Sequence, residues 1–188
     1  YNVVISSTQL TVNTKLNYAT QVTLPAGWSN VGEQIGTTAN VGIDATADGI
    51  LSIVLDANKT SHNFGIQRLP EVGAGANTAG NPGGTTQVTV PANTFSNTTA
   101  SSDYDGGSIS NIRIVSFPTN TTTIVINGTS YNSTTWPPAG ILVPTNTSGT
   151  PTQTITVDPN FDGPGSVVIT FKSVDNAGQA STANGTAT

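Results

Sequence analysis

An all-β sandwich of the Ig-like or Greek-key type, with an extended strand at its N-terminus, is the fold this sequence predicts. Three observations predict it. Short runs rich in Val, Ile and Thr recur between clusters of Gly, Pro, Asn and Asp, the pattern of strands and turns. No segment carries a 3.6-residue apolar period, and the β-branched residues disfavour helix. The chain has 188 residues and no repeat of fixed period, enough to bury one large core.

The clearest alternation begins at Leu10. Leu10, Val12, Leu16, Tyr18, Val22 and Leu24 share one phase, with Thr11, Asn13, Lys15, Asn17 and Gln21 between them, so residues 10 to 24 read as one long strand ended by Pro25-Ala26-Gly27. Ahead of it Tyr1, Val3 and Ile5 alternate in the opposite phase, separated by Ser6-Ser7-Thr8. Residues 1–13 therefore read as a tail or donor strand and 14–188 as one sandwich body. Further strands are expected at Asn40–Ala45, Gly49–Asp56, Phe64–Leu69, Thr86–Pro91, Ile109–Phe117, Thr122–Ile126, Thr129–Ser133, Ile141–Pro144, Thr152–Val157 and Ser166–Asp175. Asn127-Gly128 marks a two-residue type I′ hairpin, because both positions tolerate positive φ. Residues 73–85, 96–108 and 145–151 read as loops, the first as the one place for a linker.

Composition narrows the function. Charged residues make up 8% of the chain, and 33 Thr, 19 Asn and 17 Ser supply polarity in their place. The net charge of −5 is scattered, with no basic patch for nucleic acid. No apolar run approaches the 18 residues of a membrane span. The chain holds no Met and opens at Tyr1 inside a strand pattern, which predicts a removed leader and an extracellular location. It also has no Cys, so the usual oxidation targets are missing, as suits a long-lived protein in a harsh medium.

Catalysis has little to work with. The single histidine, His62, sits in a polar stretch that reads as an exposed turn, and neither a cysteine nor a Gly-x-Ser-x-Gly elbow is present. Asp103 and Asp105 pair within two residues, but aromatics for a sugar cleft are only 6% of the chain. Asp158, Asn160 and Asp162, followed by Gly163, match the first half of a calcium loop, yet position 12 is Ile169 where a Glu is needed. An ordinary turn explains the same residues, and no enzyme activity, cofactor or metal is expected. Seven Asn-x-Ser/Thr sequons stand at Asn58, Asn97, Asn120, Asn127, Asn132, Asn146 and Asn184. Their number barely exceeds what so Thr-rich a chain generates by chance. Their placement in expected turns and strand ends predicts that some carry N-linked glycans, with Asn97, Asn120 and Asn146 well placed.

The N-terminal segment has the sharpest functional meaning. An apolar strand at a free end pairs either within its own chain or in the groove of a neighbour, where it adds a strand to an open sheet. The second arrangement is head-to-tail and builds filaments. Tyr1, Val3, Ile5, Leu10 and Val12 are the candidate donor residues, and strands such as Ile50–Leu55 and Val167–Phe171 the candidate lining of the acceptor.

The Thr-, Asn- and Ser-rich chain, free of Cys and Met, with many sequons and the terminal Tyr1-Asn2-Val3-Val4-Ile5 leading into Leu10-Thr11-Val12, resembles the subunit of the archaeal thread filament. That family is similar in architecture to bacterial type I pilins. The resemblance implies a pilin-like, N-glycosylated β-sandwich joined to identical subunits by donor-strand complementation, serving adhesion or biofilm formation at the cell surface. Residues 169–178, Ile-Thr-Phe-Lys-Ser-Val-Asp-Asn-Ala-Gly, are also similar to the last strand and turn of bacterial Ig-like surface repeats. Two alternatives remain: a self-contained Ig-like or S-layer module, and a carbohydrate-binding sandwich, whose sign would be Trp28 or Trp136 exposed on a sheet face.

Overall fold

The computed structural model describes all residues except 12–13, 37–42, 45, 55, 57–59 and 97–100. It is all-β apart from two single helical turns, and it divides between Arg68 and Leu69 into two compact units. The sequence reading drew no boundary there.

The first unit, Tyr1–Arg68, holds two small sheets. Strand β1 (Asn2–Val4) pairs antiparallel with β4 (Ile50–Ser52), Val3 lying opposite Leu51. Strand β2 (Trp28–Ile35) lies between β3 (Ile43–Asp44) and β5 (His62–Arg68), with a register shift between Asn30 and Gly32. Leu51 is the one fully buried large apolar side chain among this unit's described residues.

The expected strand at 10–24 does not form in the described residues. Alternation specifies faces, but a strand also needs an edge to pair with. Here the chain closes instead into one helical turn, α1 (Tyr18–Gln21). The Asn17 carbonyl accepts from Thr20 N and Gln21 N, and the Gln21 amide oxygen accepts from Asn17 N at 2.6 Å. Side chain and backbone thus satisfy each other locally, where a strand would leave them open.

The second unit, Leu69–Thr188, carries the main core. One sheet runs β13 (Ile141–Pro144), β10 (Ile109–Ile114), β15 (Ile169–Asp175), β16 (Gly185–Ala187) and β7 (Ala74–Gly75). The other runs β12 (Thr129–Tyr131), β11 (Thr121–Ile126), β14 (Ile155–Pro159) and β8 (Val88–Thr89). A short pair, β6 (Glu71–Val72) with β9 (Ser101–Ser102), completes it. All pairs are antiparallel except β16 with β7.

Period-two burial explains why two sheets share one core. Ile112 and Ile114, Ile124 and Ile126, Ile155 and Val157, Ile169 and Phe171 are buried in alternation with half-buried neighbours. Phe95, on the 3₁₀ turn at Ala92–Phe95, meets Phe171 edge-to-face at 5.2 Å. Each fully buried Ile or Phe stabilises the fold by roughly 1.5–3 kcal/mol. Asn127 and Gly128 take φ of 49° and 80°, as a type I′ turn requires, and join β11 to β12.

Candidate functional site

A groove of about 600 Å³ opens along one side of the second unit. Its floor is the edge of the core: Val88 and Val90 from β8 and its continuation, Val157 from β14, Val167 and Ile169 at the start of β15. It forms there because β8 is only two residues long and, among the described residues, pairs with β14 alone at the edge of its sheet. The lining contains no charged side chain.

The rim is held by hydrogen bonds between loops distant in sequence. Asn81 Nδ2 donates to the Phe161 carbonyl at 2.8 Å, and Gly84 N donates to Asp162 Oδ1 at 3.0 Å. At the other end Asn77 N donates to Thr188 O at 2.8 Å, while Asn77 Nδ2 donates to Thr94 Oγ1 at 3.0 Å. Such cross-loop bonds tie the rim of the groove together. Of the expected acceptor lining, Val167 and Ile169 border this groove, whereas Ile50–Ser52 forms β4 in the first unit and does not. Phe161 and the loop at 76–81 were not expected, for polar loops carry no periodic signal.

The expected donor residues lie in the first unit. Val3 and Ile5 are half-buried and Tyr1 is 82% exposed. The segment pairs within its own chain: the terminal amine donates to Ile53 O at 3.0 Å, Ile53 N to Tyr1 O at 2.7 Å, and Ile5 N to Gly49 O at 3.0 Å. Leu10 is half-buried outside any strand, and Val12 lies outside the described residues.

The other candidates scatter. Asp158 is buried and accepts from the Thr122 hydroxyl, Asn160 is exposed, and Asp162 caps the loop at Gly84. The Asp158 and Asp162 side chains thus serve separate local bonds. Among the described residues no group of three His, Cys, Asp or Glu is placed to hold a metal. Asp103 stands beside Asp105 and near Asp175; burial and then the neighbouring Asp105 carboxyl push its pKa up. His62 is not an exposed loop residue: it opens β5, half-buried, with Nε2 shielded from solvent. Pairing with Ile35 draws it into the sheet.

Trp28 is 37% exposed on β2. Trp136 is half-buried and packs edge-to-face against Phe117 at 6.0 Å and Tyr131 at 5.9 Å. Of the sequons, Asn120, Asn127, Asn132, Asn146 and Asn184 are exposed, and Asn58 and Asn97 lie outside the described residues. Among the described residues no helix is long and apolar enough to cross a membrane. Comparison with protein-family models, curated proteins and solved structures finds no match for this chain.

Proposed function

We propose that this chain is the structural subunit of an extracellular surface filament, polymerising head-to-tail by donating its N-terminal segment to the groove of the next copy. The observation that carries the reading is the open apolar groove at the β8 edge, whose lining has no charged side chain. Residues 1–12, Tyr-Asn-Val-Val-Ile-Ser-Ser-Thr-Gln-Leu-Thr-Val, likewise contain no charged side chain. A segment without charged side chains suits a slot lined without them, since neither side strands a charged side chain. The added strand would hydrogen-bond along the free β8 edge and set alternate side chains into the groove.

The same segment is cheap to release. The β1–β4 ladder spans three residues, extended by backbone bonds at Tyr1, Ile5 and Ser7, and a two-stranded ladder of this length is marginal in water. Exchanging it for a neighbour's groove converts a closed subunit into a link of a heterologous chain. In this reading the second unit is the Ig-like, Greek-key sandwich of a pilin, the filament serves adhesion or biofilm formation, and its partners are identical subunits and N-linked glycans.

Deleting residues 1–12 should leave a folded protein that forms no filaments in electron micrographs of native-like material. A synthetic peptide of those residues should bind the truncated protein. Filaments from the truncated chain would sink the proposal. One observation favours a second reading: because β1 pairs in cis, a self-contained surface module is also built. That module stays monomeric on size-exclusion chromatography at concentrations where a filament subunit would assemble.

A further inference from the structure

The five sequons within the described residues differ once the chain is folded. In three of them the third residue is locked in a strand: Thr122 in β11, Thr129 in β12 and Thr186 in β16. Thr186 is held from both sides, by β15 and β7. Thr122 gives its hydroxyl to Asp158, and Asn120 donates its own Nδ2 to Ser166 O at 2.8 Å. At Asn146 the tripeptide lies in a loop and Oδ1 accepts from Ser148 N at 3.0 Å and Thr150 N at 3.1 Å, but no hydroxyl joins them and Ser148 bridges to Ile109.

Asn132-Ser133-Thr134 is different. Of the five it alone lies outside every ladder and bridge, in the turn that follows β12. Asn132 Oδ1 accepts from Thr134 N and Thr135 N, both at 3.0 Å, and from the hydroxyls of Thr134 at 2.7 Å and Thr135 at 3.2 Å. The side chain is exposed and Nδ2 makes no hydrogen bond within the described protein.

An amide nitrogen is a weak nucleophile because its lone pair is shared with the oxygen. Donors gathered on that oxygen stabilise the negative charge that builds there as Nδ2 gives up a proton. A transferase must also grip the whole tripeptide, which a strand-bound threonine prevents.

We infer that Asn132 is the principal N-glycan acceptor among these five sites, its turn presenting and activating the amide. The donor class is an oligosaccharide linked to a lipid phosphate. Nδ2 forms a bond to the anomeric carbon, the bond from that carbon to the phosphate oxygen breaks with its electron pair, and the Nδ2 proton leaves to a base. The inference rests on the surface-protein reading above, which brings the chain to such a transferase.

Glycopeptide mass spectrometry of the native protein tests it. Asn132 should show the highest occupancy of the five. Equal or higher occupancy at Asn120, Asn127, Asn146 or Asn184 overturns this inference and leaves the surface reading standing, whereas a protein bare at every sequon overturns both. Thr135→Ala keeps the sequon but removes the Thr135 hydroxyl from Asn132. Occupancy at Asn132 should then fall while the other sites hold; unchanged occupancy would refute the role of the turn.

Discussion

Gly75→Ala is the substitution that most directly tests how the wall of the groove is built. Gly75 is buried on β7, opposite Ala187, and its carbonyl accepts from Thr188 N at 3.0 Å. A Cβ placed there would lie 1.9 Å from the Thr94 carbonyl oxygen, about 1.5 Å short of the nearest ordinary contact. The obstacle is backbone, and it is tied: Thr94 N donates to Pro91 O at 3.0 Å, the Thr94 hydroxyl to the same oxygen at 2.6 Å. Overpacking of this kind costs about 1–3 kcal/mol, and a wall that cannot rotate away puts the site at the upper end. The loss of glycine's unfolded-state freedom returns about 0.4–1 kcal/mol. The net destabilisation is then about 2 kcal/mol, or a fall of roughly 1 M in the urea midpoint with m near 2 kcal/mol/M. Gly80→Ala is the control, since nothing lies within 4 Å of its Cβ and its φ is ordinary. It should leave the midpoint unchanged or raise it slightly. Equilibrium urea unfolding followed by circular dichroism reads both. A Gly75→Ala protein as stable as the parent would show that β7 and the 3₁₀ turn move apart freely, and would refute the rigid wall.

Two further predictions concern carboxyl side chains. The Asp103 carboxyl is raised above its ordinary 3.8, so the folded chain holds its proton more tightly than the unfolded one. That stabilisation is full below the unfolded value and is lost as pH rises through the folded one. Asp103→Asn, a mimic of the protonated acid, should therefore gain in Tm over the parent at about pH 7 and lose that advantage near pH 3; a constant difference across that range counts against the mechanism. Glu33, 2% exposed, accepts from Gly49 N. Glu33→Ala leaves that N–H without an acceptor and should destabilise the first unit by about 1–3 kcal/mol in urea melts, whereas Glu33→Gln retains the acceptor and should not.

Strands were legible where burial is alternate and two-sided. Ile141–Pro144 falls where its alternation puts it, and β10, β11, β14 and β15 fall within a few residues, because each sets large apolar residues into one core. Strand β2 was not legible: its bulge near Val31 breaks the period, and Gly32 and Glu33 stand where apolar residues would announce a strand. Strands β7 and β16 are Ala, Gly and Thr, held by their neighbours, with no propensity of their own to read. Alternation at 10–24 misled for the opposite reason, a strong local pattern without an edge to receive it. The groove was half visible, since its strands are periodic and its loops are not. The differences among the sequons depend on which third residue a ladder holds, a tertiary property.

The two tryptophans have a practical consequence for anyone who works with this protein. Each unit holds one, Trp28 in the first and Trp136 in the second, and their surroundings are unlike. Trp28 meets solvent, so its fluorescence should be red-shifted and open to a soluble quencher. Trp136, caged by Phe117 and Tyr131, should emit further to the blue and resist quenching. The chain thus carries an intrinsic optical label on each half, and replacing either tryptophan with phenylalanine leaves a single-colour reporter for the other.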